Sequence, residues 1–227
     1  TYGRGLEVIH LKTGKVESYL NNPKDSTSIP SSRVFSLYKA SNGCIYVGTS
    51  AGFCCYNPEK NNFTRIGSFS SKVSAIIEDY FGRIWIGTSI SGLYSYNVRT
   101  KKISSYQRSD NSNSLTKNVI TTLAIDSKKR LWIGTYGQGL CRYNDETDDF
   151  TRYDHLKLPN KIITSIIPKG DLLWISTNKG LAVYNPDTEY LKTYSKSNGL
   201  YNEQFTPRSG VEVSDGRLSV SYTHLRA

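Results

Sequence analysis

The sequence lacks methionine and contains few residues of the reactive or conformationally special types. Its 227 residues begin with Thr1 and include four Cys, three His and seven Pro. Because an open reading frame begins with Met, a chain without one is expected to be a processed product or a fragment. No apolar run approaches the roughly 20 residues that a membrane-spanning helix needs, so this part of the protein is expected to be soluble.

The cysteines and histidines do not form a metal or redox motif. Cys44, Cys54, Cys55 and Cys141 include no C-x-x-C pair, and no His lies beside them. Adjacent Cys54 and Cys55 on a strand would point to opposite faces, so they are not expected to bond to each other. All four are predicted to be small buried apolar residues, and neither a metal nor another cofactor is expected.

Acidic residues are also scarce. Asp and Glu number 19 against 29 Lys and Arg, a formal net charge of +10, which favours polyanions in general. The basic runs Lys128–Arg130 and Arg99–Lys102 lie in predicted turns. Two interpretations stay open: a basic rim that binds an anion, or solvated turns on part of a larger protein, and the second is favoured.

The sequence does contain one unit repeated several times. Four segments align: Ile45–Ser50, Ile84–Ser89, Leu131–Tyr136 and Leu173–Asn178. Each is followed by Gly with Leu or Phe after it, and by Tyr four residues beyond that Gly. Together with Gly5, these glycines lie at 5, 52, 92, 139 and 180, spaced 47, 40, 47 and 41 residues apart. A period in the forties is typical of the four-stranded blades of propellers.

Each copy is predicted to be a meander of four short strands, so the expected fold class is all-β, a β-propeller with about five blades' worth of strands. The fragment spans 1–220 and is expected to be an incomplete arc of a larger propeller. Its predicted parts are a half blade at 1–19, blades at 34–66, 73–106, 119–153 and 162–194, and a half blade at 205–220. Closure of the two half blades into a fifth blade stays open. Residues 221–227 are suspected to be a non-native tail.

The second strand of every copy carries a large aromatic residue that is predicted to be structural core. These residues are Tyr46, Trp85, Trp132 and Trp174. Strand alternation places the following Ile on the opposite face and returns Gly to the aromatic side, where its missing side chain leaves room. The aromatic series is therefore interpreted as packing between blades, not as a sugar-stacking surface.

An acidic residue recurs at the turn between the first and second strands. Asp79, Asp126 and Asp215 are predicted to cap their own hairpin turns, with Asn42 in place of Asp in the first copy. A catalytic pair of carboxylates, such as Glu78 with Asp79 or Asp148 with Asp149, is not supported, because no nucleophile, base or metal ligand accompanies them.

The pattern V-x-x-I-x-x-D-x-x-G-x-[LI]-W-I-G-T-x-x-x-G-L-x-x-Y-[ND], most complete in residues 73–97, resembles the two-component regulator propeller repeat. The resemblance covers residues 1 to about 220. It implies a seven-bladed propeller in the extracytoplasmic, periplasmic sensor region of a hybrid histidine kinase. It also implies no catalysis by this fragment, a homodimer formed through the parent protein, attachment to the membrane only through a downstream helix, and no nucleic-acid partner.

The function that this resemblance implies is detection of a ligand, predicted to be an oligosaccharide. Candidate ligand-binding residues lie in the loops between second and third strands and near the blade entrances: Tyr2, Arg4, Tyr136, Gln138, Asn178, Lys179 and Arg208. An aromatic ring with amide and basic groups suits a sulfated or uronic oligosaccharide. Two alternatives stay open: a structural or protein-interaction propeller, and a propeller lyase or hydrolase, which would need a His/Glu pair on one rim.

Overall fold

Short segments rich in Val, Ile, Thr and Tyr, with side chains alternating between two faces, form strands throughout the computed structural model. The structure describes residues 3–222, without the side chains of Arg208, Ser209 and Tyr222. Lys196–Asn198 forms a 3-10 turn. The described residues form 20 strands, and the sheets pair consecutive strands in chain order. The predicted all-β propeller with about five blades' worth of strands is confirmed.

Four four-stranded sheets, called blades 1 to 4, lie between two hairpins. The opening hairpin consists of β1 (Leu6–Ile9) and β2 (Val16–Tyr19). Blade 1 consists of β3 (Val34–Lys39), β4 (Ile45–Thr49), β5 (Gly52–Asn57) and β6 (Asn62–Arg65). Blade 2 consists of β7 (Val73–Glu78), β8 (Arg83–Thr88), β9 (Leu93–Asn97) and β10 (Ile103–Tyr106). Blade 3 consists of β11 (Ile120–Ile125), β12 (Leu131–Thr135), β13 (Leu140–Asn144) and β14 (Asp149–Arg152). Blade 4 consists of β15 (Ile163–Lys169), β16 (Leu172–Thr177), β17 (Gly180–Tyr184) and β18 (Leu191–Tyr194). The closing hairpin consists of β19 (Phe205–Glu212) and β20 (Leu218–Tyr222).

The chain divides into two compact units, and the division runs through blade 2. The first unit comprises the residues up to Ile90 together with Ser95–Ser104, and it contains the opening hairpin and blade 1. The second comprises Ser91–Tyr94 and the residues from Ser105 onward, and it contains blades 3 and 4 and the closing hairpin.

The aromatic residues of the second strands are buried in three of the four blades. Trp85 and Trp132 are fully buried, and Tyr46 is nearly so. Trp174 differs from the core prediction, because it is only partly buried and stacks on Tyr194 with ring centroids 6.4 Å apart.

The buried tryptophans are held by the acidic turn residues. Asp126 accepts hydrogen bonds from the backbone N–H groups of Lys128 and Arg130, both at 2.9 Å, and from Arg130 Nε at 2.5 Å. Its second oxygen also accepts from Trp132 Nε1 at 2.9 Å. The carboxylate therefore caps its own turn, as predicted, and in addition satisfies a donor that is buried between blades.

The same arrangement recurs in blade 2, and a simpler one occurs in the closing hairpin. Asp79 accepts from the backbone N–H of Arg83 at 2.9 Å and from Trp85 Nε1 at 2.7 Å. Asp215 accepts from the backbone N–H of Arg217 at 3.0 Å and from its Nε at 2.8 Å. The prediction that Asp79, Asp126 and Asp215 cap their own turns is confirmed.

Blade 1 departs from this arrangement. In blade 2, the N–H of Asp79 donates to the carbonyl of Arg83 at 2.9 Å. In blade 1, the equivalent bond runs from the N–H of Ala40 to the carbonyl of Cys44 at 2.9 Å, so Ala40 takes the position of Asp79. Asn42 lies two residues further on and accepts from the N–H of Cys44 at 2.9 Å. The prediction that Asn42 replaces the turn Asp is therefore wrong. In blade 4, strand register places Lys169 opposite Leu172, so the partly buried Trp174 has no acidic turn residue of this kind.

The cysteines behave in two ways. Cys44 and Cys55 form a disulfide with Cα atoms 6.3 Å apart, so the prediction that all four are simple buried residues is wrong for these two. Cys54 and Cys141 are buried free thiols, and burial raises the pKa of each to about 12. Cys54 and Cys55 do not bond to each other, as predicted from strand alternation.

The glycine of the second strand allows blades to approach closely. A Cβ added to Gly134 would lie 2.6 Å from Thr122 Cγ2 and 2.7 Å from Ile163 Cγ2, and Ile163 belongs to the first strand of blade 4. This contact confirms the prediction that glycine leaves room on the aromatic side of the strand. The first strand of blade 4 consequently packs directly against the second strand of blade 3 at Gly134.

Candidate ligand-binding site

The alternating repeat spacing comes from two long connections between blades. Residues 20–33 precede blade 1 and residues 107–119 precede blade 3, whereas only residues 66–72 precede blade 2. The difference of about seven residues accounts for spacings of 47 and 40. Both long connections are polar loops in which Ser hydroxyls bond to nearby carbonyls, as Ser28 does to Asn22 and Ser114 does to Asn111.

Each long loop is tied to its blade by an arginine at the end of the fourth strand. Arg152 donates from Nε to the carbonyl of Ser114 at 2.9 Å and from a terminal nitrogen to the carbonyl of Asn111 at 2.9 Å and the hydroxyl of Ser114 at 2.6 Å. Arg65 makes the equivalent bonds to the carbonyl and hydroxyl of Ser28 at 3.1 and 3.0 Å. A planar guanidinium with several donors suits this role better than the single ammonium of Lys.

A cleft of about 190 Å³ opens beside the second long loop and is called the basic cleft here. It is lined by Arg108, Thr116, Lys117, Gln138, Arg152 and Asp154. Three of these side chains are cationic and one is acidic. Arg108 and Lys117 are exposed, whereas Arg152 is fixed by its bonds to the loop. The cleft therefore presents an excess of positive charge with one amide, an arrangement that favours an anionic group.

The cleft at the corresponding place beside the first long loop has a different character. It has a volume of about 480 Å³, and its lining includes Pro30, Phe53 and Phe69, with Arg65 as its cation. The two loops are thus built alike, but only the one before blade 3 places several cations together.

The predicted site residues are distributed unevenly. Gln138 lines the basic cleft, and Tyr136, on the same loop, exposes 54% of its surface. Asn178 and Lys179 are exposed in the loop between β16 and β17, and neither lines the basic cleft. Arg4 is exposed in the first unit.

Two further predictions cannot be placed. Tyr2 lies outside the described residues, and the side chain of Arg208 does so too. Sequence reasoning missed Arg108, Lys117 and Arg152. Two features of the sequence indicate the long loop before blade 3. One is the longer repeat spacing there, and the other is the similarity of Asp25-Ser-Thr-Ser-Ile29 to Asn111-Ser-Asn-Ser-Leu115.

Two cations of the basic turn of blade 3 form ion pairs within the protein. Lys128 Nζ and Arg130 Nη1 each lie 2.8 Å from a carboxylate oxygen of Asp187, which belongs to blade 4. These hydrogen bonds lower the pKa of Asp187 below its usual value. The interpretation of this run as a structural, solvated turn is therefore favoured over an anion-binding rim.

One His/Glu pair exists in the described part of the chain. His10 Nε2 lies 3.5 Å from Glu17 Oε2 in the opening hairpin. Glu17 also accepts from Lys15 Nζ at 2.6 Å and from the hydroxyl of Tyr19 at 2.7 Å, and these bonds lower its pKa to about 2. A carboxylate that is already bound by an ammonium and a phenol is a poor general base.

No helix within residues 3–222 is long and apolar enough to cross a membrane. No group of three or more His, Cys, Asp or Glu side chains in the described residues is arranged to hold a metal ion.

The repeats match a known family. The model of the two component regulator propeller matches residues 28–51, 67–89 and 114–137. The fold is similar to the extracellular domain assigned to a hybrid two component system of B. thetaiotaomicron, with a TM-score of 0.77 and 27% identity over 97% of this chain. The chain carries two-component regulator propeller repeats at these three places.

Sequence identity and coverage vary among the similar proteins. The propeller is 34% identical over 94 residues to histidine kinase P4 of Formosa agariphila, a match that covers 37% of this chain and 7% of that protein. It spans 29% of the B. thetaiotaomicron domain. Virginiamycin B lyase of Staphylococcus aureus shares the fold with a TM-score of 0.67, but at 16% identity over 99% of this chain and 79% of the lyase. A likeness at that identity concerns the fold alone.

Proposed function

We propose that this propeller is the periplasmic ligand-sensing part of a hybrid two-component sensor, and that it binds an acidic oligosaccharide at the basic cleft. The observation that carries the proposal is the convergence of Arg108, Lys117 and Arg152 beside Gln138. Carboxylate and sulfate groups of uronic or sulfated sugars accept charge-assisted hydrogen bonds from such cations. The amide of Gln138 adds a donor and an acceptor for sugar hydroxyl groups.

Tyr136 extends this surface. Its backbone N–H bonds the carbonyl of Val119 at 3.0 Å, and Gly137 and Gly139 both donate to the carbonyl of Lys161. The loop that carries Tyr136 and Gln138 is thus held by its neighbours while the Tyr ring stays exposed. An aromatic ring with one solvent-exposed face can stack on a pyranose ring.

The extracytoplasmic location is supported by two independent observations. The similar B. thetaiotaomicron domain is extracellular, and the Cys44–Cys55 disulfide is of a kind that persists in oxidising compartments such as the periplasm. Relay to a histidine kinase, through a homodimer of the parent protein and a membrane helix elsewhere in it, belongs to the same proposal and is supported by the kinase relative.

The test is isothermal titration of the complete extracellular region that contains this chain with acidic and neutral oligosaccharides of matched length. Acidic chains are expected to bind, and Arg108→Gln with Lys117→Gln is expected to weaken binding at least about tenfold, since each charged hydrogen bond contributes roughly 1.5–3 kcal/mol. Lys157→Gln, an exposed lysine outside the cleft lining, is the matched control. The proposal fails if no acidic glycan binds, or if the control variant loses as much affinity as the cleft variant.

A protein-interaction function is the second candidate, and one observation favours it. Tyr80 and Phe81, at the turn between β7 and β8, expose 66% and 69% of their surfaces and form an edge-to-face pair 5.8 Å apart. Exposed aromatic pairs are frequent at protein interfaces. Recovery of a stable protein partner that is lost in Tyr80→Ser with Phe81→Ser, without any glycan binding, would favour this function.

A further inference from the structure

In the second unit, the space beside the second strand of blade 3 is filled by the protein's own side chains. The indole of Trp132 is fully buried, with the ring of Tyr153 5.0 Å away and the guanidinium of Arg130 5.7 Å from the ring centroid. Asp126 holds the indole N–H, and Arg130 reaches Asp187 of blade 4. An aromatic ring and its polar partners thus occupy this position.

Blade 1 lacks all of these groups. The aligned repeats and the backbone pairing place smaller or differently charged residues at the same five positions: Ala40, Cys44, Tyr46, Ile66 and Arg99. The backbone equivalence is direct, because Ile66 N–H bonds the carbonyl of Phe53 at 2.9 Å as Tyr153 N–H bonds that of Leu140 at 3.0 Å. The carboxylate, the guanidinium, the indole and the second ring are therefore all replaced.

A cleft of about 510 Å³ lies at this place in the first unit and is called the disulfide cleft here. Tyr46 does not fill it, since its ring stacks on Phe53 with centroids 5.2 Å apart and planes within 6°. The wall includes Tyr96, Ile103 and the Cys44–Cys55 disulfide. A mostly apolar wall and this volume are typical of small-molecule sites.

The charge of the disulfide cleft is positive. Arg65 and Lys101 line it, and no described residue of the lining is acidic. Lys101 has a left-handed backbone with φ of 62°, and its Nζ lies 5.9 Å from the centroid of the Tyr96 ring. An ammonium placed over an aromatic ring can form an ion pair with an anionic group at one end of a flat apolar ligand.

We propose that the disulfide cleft is a second ligand site that accepts a planar aromatic carboxylate. The aromatic body would take the space that an indole fills in blade 3, because an apolar space between packed elements accepts a ring of matching size. The carboxylate would lie at Lys101, since the guanidinium of Arg65 bonds the first long loop at Ser28. This site is separate from the basic cleft, and the inference does not depend on the proposed function.

Indole-3-acetate is the probe, titrated by calorimetry into the complete extracellular region that contains this chain. Saturable binding is expected, and the neutral analogue 3-methylindole is expected to bind about tenfold or more weakly, since it lacks the charge-assisted hydrogen bond. Lys101→Gln should remove that preference for the anion, whereas Lys102→Gln, the exposed neighbour outside the lining, should keep it.

A second variant tests the location. Ala40→Asp with Cys44→Arg, Tyr46→Trp and Cys55→Ser introduces the carboxylate, guanidinium and indole of blade 3. It should abolish binding of the probe without affecting any acidic glycan at the basic cleft. If this variant fails to fold, the comparison of Lys101→Gln with Lys102→Gln decides. Absence of binding, equal effects of the two lysine variants, or undiminished binding by the folded, filled variant would each overturn the proposal.

Discussion

The indole Nε1 of Trp132 donates a 2.9 Å hydrogen bond to Asp126 Oδ2, so one carboxylate both closes a surface turn and satisfies a donor in the core. Four donors reach this carboxylate: two backbone N–H groups, a guanidinium nitrogen and the indole. The side chain of Asp126 is only 3% exposed, which makes each of these bonds hard to replace with water.

Replacement of Asp126 is therefore expected to be costly. Asp126→Ala should lower the free energy of unfolding by about 3–5 kcal/mol, the usual loss when one partner of a buried ion pair is removed. Urea unfolding measures the change. Asp215→Ala is the matched control, since Asp215 caps the same kind of turn at an exposed position and holds no indole. Equal losses in the two variants would show that turn capping, not the bond to Trp132, carries the stability.

Arg152→Lys should loosen the long loop before blade 3. A single ammonium cannot replace the guanidinium bonds to the carbonyl and hydroxyl groups of this loop, so the loss should be about 1–3 kcal/mol. Hydrogen exchange should speed up within residues 109–115 and stay unchanged in blade 4. Arg142→Lys, where the arginine bonds only one described side chain, Asn144, at 3.1 Å, is the control. Unchanged exchange in the loop would contradict the anchoring role.

The cysteines should show one disulfide and two unreactive thiols. The intact mass of the protein under non-reducing conditions should be lower than the mass of the reduced chain by two hydrogen atoms. Iodoacetamide at pH 8 should label neither Cys54 nor Cys141 until the protein unfolds. Burial raises the pKa of both thiols to about 12. Their contribution to stability is thus fully present below the unfolded thiol pKa of about 8.5 and is lost as the pH rises towards 12. Labelling of the folded protein at either thiol would contradict this.

Removal of the disulfide is expected to destabilise blade 1. Cys44→Ser with Cys55→Ser should cost about 2–3 kcal/mol, because the bond closes a loop with a sequence separation of 11 residues. Thermal unfolding measures the loss. Cys54→Ser is not a suitable control, since it would place a hydroxyl in the core. The comparison experiment is reduction of the unchanged protein by dithiothreitol, which should give the same decrease in Tm as the double variant. A decrease in one experiment but not in the other would contradict the assignment of the bond.

The bridge from Asp187 to Lys128 and Arg130 should make stability depend on acid pH. The pKa of Asp187 is lowered by those two hydrogen bonds, so its contribution is present above the unfolded pKa of about 3.9 and is lost as the pH falls through the lower, folded pKa. Asp187→Asn should lower Tm at pH 7, and the two proteins should converge as the pH falls through the lowered pKa of Asp187. A Tm difference that persists unchanged at low pH would show that the effect is not electrostatic.

Much of the fold could be predicted from the sequence, because each strand carries its own signals. The recurring Trp-Ile-Gly-Thr segments, the Gly at the next turn and the Tyr four residues later mark the blades without knowledge of their neighbours. The acidic caps at Asp79 and Asp126 were likewise predictable, since turn capping is a local interaction. Of the side chains that line the basic cleft, Gln138 was among the predicted site residues, whereas Arg108, Lys117 and Arg152 were not.

The misses have one cause. Cys44 and Cys55 are 11 residues apart in the chain and meet only because β4 pairs with β5. Asn42 was predicted to take the place of the turn Asp, but backbone pairing gives that position to Ala40. Two cations of the basic cleft come from the long connection before blade 3, and the third comes from the end of a fourth strand.

The sequence by itself determined that this protein is a series of four-stranded blades with aromatic cores, because strand alternation, turn residues and repeat length are local properties of the chain. Only the tertiary structure decided which side chains meet between blades, and hence which clefts are filled and which stay open. Contacts across 40 residues depend on register and on the path of the connections, and neither is encoded in the spacing of any single repeat.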